Sequence, residues 1–330
     1  MTLLGLVILV VKIVLLIGIL LGGFAYLMLT ERRLLGFFQL RLGPNRVGPG
    51  GLLQPIADGL KMVFKEDLIP ENADPWVFRM APVISLFAAL AVDAVIPFGP
   101  PIHLFGVSIN LDIANPNIGL LYAFAFSALG AYGLMLAGWS SQNKYSLLGG
   151  IRSSAQLISY ELAMGLSVMG VLMISHTANL ERIDLLQHLH GWYVFPQIIP
   201  FFIFFIAGIA ETNRAPFDLP EAESELVAGY HTEYSGIRFA MFYIAEYVNM
   251  ITAAGLLITL FFGGWSGFGF LPPILWFLIK VAIVLVVFIW IRATLPRFRY
   301  DRLMDFGWKF LVPVAFVYLL GTAAFVSGVL

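Results

Sequence analysis

Apolar residues run along this chain in stretches long enough to cross a bilayer, near residues 3–29, 77–99, 117–139, 154–175, 196–211, 240–262, 272–291 and 309–329. A helical crossing takes about 20 apolar residues. The pattern therefore predicts an all-α integral membrane protein of about eight transmembrane helices, the fifth of them short. Between the stretches lie Pro97, Pro101, Asn115, Asn117 and the glycines of 263–269, which are turn residues. No connection is long enough to fold alone, so 1–330 reads as a single polytopic membrane domain. The first stretch is too long for a signal-peptide core and follows no basic segment, so a retained helix is expected.

One segment departs from this pattern. Gln54, Asp58, Lys61 and Lys65 recur at helical spacing while Leu53, Ile56, Leu60 and Phe64 fill another face. That predicts an amphipathic helix over 52–65, too short and too charged to span. It either lies flat on the bilayer or walls a cavity there, with Asp58 turned inward.

Charge orients the bundle. Of the 19 lysines and arginines, 16 fall in or beside the first, third, fifth and seventh connections, near residues 30–76, 140–153, 211–239 and 292–308. On the other side Arg182 is the one basic residue in a loop, and Lys12 and Lys280 lie within apolar stretches. Short cytoplasmic loops carry an excess of such residues, so these four connections are predicted to be cytoplasmic and both termini periplasmic. Adding or dropping one helix would scatter the charges to both sides.

Composition then narrows the chemistry. With 60% hydrophobic and 12% charged residues and a net charge of −1, the chain has no basic field for nucleic acid. The absence of cysteine excludes disulfides, thiolate metal sites and cysteine-ligated iron–sulfur clusters within this polypeptide. Dinucleotide, phosphate-loop and zinc-peptidase motifs are missing, and His188 and His190 have no third ligand nearby, so no metal site is expected. A redox cofactor would have to belong to partner chains.

Ionisable side chains inside apolar stretches cost roughly 2.5 to 3.5 kcal/mol each at the bilayer centre and so need a reason. Glu161, Glu246, Lys280 and Asp93 are such residues, and Glu211 closes the fifth stretch. They either form a buried polar path or, as for Lys12 and for Asp93 near its helix end, snorkel to the surface. The fifth connection carries Glu211, Asp218, Glu221, Glu223, Glu225 and Glu233 within 23 residues, with Arg214 as the nearby cation. Such a run is either a solvated acidic loop or a packed cluster whose crowding raises proton affinities. The flanking Ala215, Pro216, Phe217, Leu219, Pro220, Leu226, Val227 and Tyr230 favour packing. Arg32, Arg33, Arg41, Arg46, Arg292 and Arg297 could anchor anionic lipid headgroups or line a cavity mouth and polarise a quinone as it takes up electrons.

These residues carry a family resemblance. Residues 31–65 read ERRLLGFFQLRLGPNRVGPGGLLQPIADGLKMVFK, and residues 211–234 read ETNRAPFDLPEAESELVAGYHTEY. With WSSQNKYSLLGGIRSSAQLISYE at 139–161, AEYVN at 245–249 and IRATLPRFRYDRLMDFGWK at 291–309, the chain from about 24 to 310 resembles the H-subunit family of NADH-quinone oxidoreductases, called subunit 1 in mitochondria. The resemblance implies the heel of the membrane arm of respiratory complex I, in a bacterial inner membrane or, with the same topology, a mitochondrial one. Implied partners are the hydrophilic-arm subunits at the quinone site, which hold FMN and iron–sulfur clusters, the proton-translocating subunits of the membrane arm, and lipid. By motif, Arg32, Arg41, Asp58, Arg292 and Arg297 would belong to the cavity for ubiquinone or menaquinone. Glu161, Glu211, Asp218, Glu221, Glu223, Glu225, Glu233 and Glu246 would form an acidic funnel leading from it. Asp93 has no counterpart in the family pattern. Two other readings stay open, the homologous subunit of a membrane-bound hydrogenase and a free-standing ion transporter, the latter without the internal repeat such proteins often show.

Overall fold

The computed structural model describes residues 3–104, 107–218, 223–267 and 269–328. In chain order it comprises α1 (Leu3–Phe38), α2 (Gln54–Phe64), α3 (Pro75–Val92), a hairpin of β1 (Ile102–Leu104) and β2 (Val107–Ile109), α4 (Gly119–Ser140) and α5 (Lys144–Ser175). There follow α6 (Leu180–His190), α7 (Ile198–Glu211), α8 (Glu223–Leu226), α9 (Gly236–Phe261), α10 (Pro273–Thr294), α11 (Tyr300–Phe306) and α12 (Val312–Val326). Among the described residues seven helices are long and apolar enough to cross a bilayer: α1, α3, α4, α5, α9, α10 and the run 300–326. The eighth predicted span is α7, apolar but only 14 residues long. The chain is a helical integral membrane protein.

Some helices reach beyond where hydropathy places them, while α3 ends at Val92, short of the expected 99. The first helix continues past residue 29 to Phe38, and the fourth span starts at Lys144 rather than 154. The third connection is therefore a turn of residues 141–143, and 144–153 is helix. Asn143 starts that helix by accepting a hydrogen bond from the Tyr145 N–H at 2.9 Å. Asp74 does the same for α3, accepting from Trp76 and Val77 at 3.0 and 3.3 Å. Polar first turns such as 144–154 are invisible to an apolar window although helix propensity and a cap are both present. The antiparallel hairpin, in register Ile102↔Ile109, and the polar helix α6 have no hydropathy signature either.

Helix α9 is the axis of the bundle, buried almost continuously from Ala245 to Phe261 and packed by α1, α3, α7 and α10. In contrast α1 leaves Leu6, Val10, Val14 and Ile19 exposed, as befits a helix facing lipid. Between helices in a bilayer burial of apolar surface gives little net drive, because lipid tails are equally apolar, so close approach and hydrogen bonds decide. Gly138 on α4 meets the backbone of α5 at Ser146 and Gly150 so closely that a Cβ would collide with it. At Gly149 a Cβ would stand 2.6 Å from the Tyr230 nitrogen, which seats the fifth connection directly on α5.

Candidate functional site

The shortness of α7 is what builds the site. Fourteen residues rise only about 21 Å, so α7 stops inside the bundle and the chain continues unwound through buried Thr212, Asn213 and Arg214. Non-helical backbone at membrane depth needs protein partners. Gln156 of α5, fully buried, supplies them by donating to the carbonyls of Ala210 and Phe217 at 2.8 and 2.9 Å.

Arg214 is thereby carried into the centre of an ion network. Its guanidinium pairs with Glu246 of α9, lies 4.3 Å from the Tyr247 ring centroid, and is 3.4 Å from Glu31 Oε1 of α1. That same Glu31 oxygen pairs with Arg292 of α10. Glu31, Arg214 and Glu246 are all buried, and a small cavity of about 10 Å³ opens beside Glu31, Thr212, Arg214 and Arg292. Two carboxylates thus share one guanidinium, with a second guanidinium at the rim. Removing or adding a single proton there leaves the rest of the network unbalanced.

Next along α9 comes a cavity of about 30 Å³ with a mixed lining, its polar side formed by Ser85, Ser127, Glu211, Asn213, Glu246 and Asn249. Glu211 closes α7 and hydrogen-bonds to the Ser127 hydroxyl of α4. Glu161 of α5 is near enough to Glu211 for their charges to interact. The structure therefore brings two of the expected acids, Glu211 and Glu246, to space for one or two waters, with Glu161 within charge range of Glu211.

Three other members of the acidic run, Asp218, Glu225 and Glu233, pair elsewhere. Asp218 pairs with Arg297 at 2.7 Å, Glu225 pairs with Arg152 at 2.7 Å with half its side chain exposed, and Glu233 accepts from the Asn143 amide at 2.6 Å. So Arg214 is not the sole cation for this connection, because the fold brings Arg152 and Arg297 from distant segments. Glu223 begins α8, and Glu221 lies outside the described residues. Tyr234 stacks on Phe78 with ring centroids 4.0 Å apart, and burial pushes its hydroxyl up to about 12. Burial also holds His231 down, to about 4, among the Tyr230, Phe239 and Tyr243 rings.

At the surface of the same end, Asp58 of α2 takes Arg32 at 2.7 Å, Gln54 at 3.0 Å and Lys61 at 3.7 Å, so the amphipathic helix is tied to α1 through its polar face. Its apolar residues Ile56, Leu60, Val63 and Phe64 remain exposed, as do Phe37 and Phe38 at the end of α1. The five residues expected at a quinone cavity pair with different partners among the described residues. Arg32 and Asp58 pair, Arg292 joins Glu31, Arg297 joins Asp218, and exposed Arg41 bonds Gln39 at 2.6 Å.

The opposite end holds other charges. Lys280 of α10, expected on a buried path, donates to the carbonyls of Phe262, Gly264 and Ser266 at 2.8, 3.0 and 2.6 Å and so terminates α9. Gln187 of α6 ties the same turn down, donating to Thr259 O and accepting from Tyr193 and Gly263 N–H. Asp184, one turn earlier on α6, is buried against Gly264, and neither of its oxygens has a hydrogen-bond partner among the described residues. Burial pushes its carboxyl well above the usual carboxylate range, with Lys280 pulling partly back and Glu181 adding to the rise. Lys12 reaches out of α1 to the Asp112 carbonyl at 3.1 Å. Asp93 does not snorkel. It is 1% exposed and accepts from the Thr252 hydroxyl of α9 at 2.8 Å.

Sequence reasoning passed over Glu31, Ser127 and the central position of Arg214. Arg214 had a signal, a lone cation amid six acids, and Glu31 stands directly before Arg32 and Arg33. Ser127 had none.

Comparison with known proteins bears on this arrangement. The profile of the NADH dehydrogenase family matches residues 11–323. The H subunit of the NADH-quinone oxidoreductase of Syntrophotalea carbinolica is 54% identical over 324 residues, covering 98% of this chain and 97% of its own length. The protein of the same name from Protochlamydia amoebophila is 52% identical over 301 residues, 91% of this chain and 92% of its own. That of Deinococcus deserti is 53% identical, covering 98% of this chain and 85% of its own.

Proposed function

The chain belongs to the NADH dehydrogenase family, and from that premise we propose that it is a membrane subunit of a proton-translocating NADH:quinone oxidoreductase. In this reading it forms much of the quinone cavity at its charged end, which faces the cytoplasm, and passes proton demand inward through buried carboxylates. With no cysteine to ligate clusters, the chain leaves FMN and iron–sulfur chemistry to hydrophilic-arm partners. Quinone is the substrate that meets this chain.

Reduction of one quinone to quinol takes two electrons and two protons. At the surface, the α1–α2 wall offers Arg32, Asp58 and an apolar face, and Arg41, Arg292 and Arg297 stand at the same end. Those cations oppose the negative charge that gathers on the headgroup oxygens. Inside, the observation that carries the reading is the shared guanidinium of Arg214 between Glu31 and Glu246. When Glu31 gains a proton, Arg214 is released toward Glu246 and stabilises its ionised form. When Glu31 loses it, that support is divided again. The proton affinity of Glu246 thus follows the charge state of the quinone end, and Glu211 lies next along the cavity with Glu161 in charge range of it. From there coupling passes sideways to the antiporter-like membrane-arm subunits. Asp218, Glu225 and Glu233, each paired to a different element, shape the fifth connection that covers this network.

The test is the purified multi-subunit enzyme carrying Glu246→Gln or Glu161→Gln. Inhibitor-sensitive quinone reduction is expected to fall about tenfold or more, with assembly and flavin content intact. Normal turnover and normal proton pumping in both variants would overturn the relay.

A further inference from the structure

Below Glu211 the polar line does not end. A second cavity, about 20 Å³, is lined by Ser127, Glu211, Asn249 and Thr252 together with apolar Val92, Phe124, Met164 and Leu256. It shares Ser127, Glu211 and Asn249 with the cavity that holds Glu246. Glu246, Asn249 and Thr252 follow one another at three-residue steps on α9, so they lie along one face of that helix. Each cavity has room for about one or two waters.

Thr252 stands between this cavity and Asp93. Its single hydroxyl hydrogen has two acceptors in range, the Asp93 carboxylate at 2.8 Å and the Val248 carbonyl at 2.9 Å. A hydroxyl can give one hydrogen bond and receive others, so this group has two orderings. With Asp93 ionised, Thr252 donates to it. With Asp93 protonated, Asp93 donates to the Thr252 oxygen and the hydroxyl turns to Val248. Asp93 follows immediately on α3, eighteen residues beyond Pro75 and so about 27 Å along the helix from the charged end. The loop beyond it is pinned across by Ile113 and Ala114, whose N–H groups donate to the Ala94 carbonyl at 3.1 and 3.0 Å.

We propose that Asp93 is a proton-carrying residue that continues the buried relay from Glu211, through the Thr252 hydroxyl, into the half of the membrane domain away from the quinone. The inference rests on the relay reading above and adds to it a residue and a direction. The step balances as a proton hop. Glu211 gives a proton to a water in the shared cavity, the water protonates the Thr252 oxygen, and the original Thr252 hydrogen passes to the Asp93 carboxylate. No electron moves. The hydroxyl then carries the new hydrogen, toward Val248, and must turn back to Asp93 before a second transfer.

Four variants of the intact enzyme, purified and reconstituted in sealed vesicles, test it: Asp93→Asn, Thr252→Val, Thr252→Ser and Glu211→Gln. Quinone reduction and protons moved per quinone are read together, along with the infrared difference spectrum between resting and turning enzyme. Asp93→Asn keeps an acceptor for Thr252 and fits the same space. Expected is a fall of about tenfold in coupled turnover for Asp93→Asn and Thr252→Val, recovery in Thr252→Ser, and loss of one carboxyl C=O band in Asp93→Asn. A purely structural Asp93 would leave that band difference and the Val/Ser contrast absent. If Glu211→Gln is impaired while Asp93→Asn pumps normally, this inference falls and the relay reading stands. If Glu211→Gln is also normal, both fall. Should Asp93→Asn fail to assemble, Thr252→Val decides, and wild-type pumping in that variant overturns the inference.

Discussion

The two ends of this bundle hold charge in opposite ways. At the charged end Glu31, Arg214, Glu246 and Arg292, drawn from three helices and an unwound segment, neutralise one another next to small cavities. At the opposite end Lys280 is spent on three backbone carbonyls, and Asp184 lies against Gly264 with no hydrogen-bond partner among the described residues. Both sets consist of ionisable groups in or beside the membrane, and by sequence alone they carry the same signal. What separates them is the partner. A cation satisfied by helix-end carbonyls has fixed partners and serves the fold, whereas a cation shared by two carboxylates has a state that changes with each proton.

The sharpest way to break that contrast is to remove the shared cation. Arg214→Met removes the guanidinium from buried Glu246 and leaves Glu31 with Arg292 alone, a change that costs about 3–5 kcal/mol for a buried pair. The fraction of enzyme assembled and its thermal midpoint should both fall. Adding Glu246→Leu to the same chain should return much of the loss, because apolar side chains of similar volume replace a buried pair at small cost. Wild-type assembly in Arg214→Met alone would mean the network does not hold the charged end.

A smaller effect is expected at the other end. Lys280→Met removes a charged donor from the Phe262, Gly264 and Ser266 carbonyls, a loss of about 3 kcal/mol, visible as faster hydrogen exchange over 259–267. Turnover per assembled enzyme should be unchanged. A fall in turnover with normal assembly would return Lys280 to the proton path.

Much of the fold was readable because membrane helices announce themselves by length: all eight apolar stretches lie on helices, and the amphipathic helix after α1 is present over Gln54–Phe64. The elements that carry no apolar run, α6 and the hairpin, were not. The candidate site was legible as residue types and not as groupings. Glu161, Glu211 and Glu246 were visible as acids in apolar surroundings, and they do converge. Asp218, Glu225 and Glu233 were equally acidic, yet their partners Arg297, Arg152 and Asn143 lie some 80 residues away in the chain. No local pattern encodes such pairings. Lys280 shows the same limit from the other side, since its three carbonyl acceptors belong to a backbone turn that side-chain patterns do not describe.

The mildest test is pH, and here the two ends should respond with opposite signs. His231, buried in the fifth connection, is held down to about 4 from 6.5 by desolvation. Between those values the unfolded chain binds a proton that the folded one does not, so the charged end loses stability as pH falls through that window. At pH 5.5 the loss is about 1 kcal/mol. Asp184 is raised, chiefly by burial and despite Lys280, so above the ordinary carboxylate range the folded chain binds the extra proton and α6 gains stability as pH falls. Hydrogen exchange in the intact enzyme, taken from pH 7 to 5.5 and corrected for the intrinsic rate, should therefore rise over 229–235 and fall over 180–190. His231→Gln should abolish the first change and leave the second, while Asp184→Asn should do the reverse. Parallel changes at both ends would mean that one global transition, rather than two separately titrating ends, governs the response.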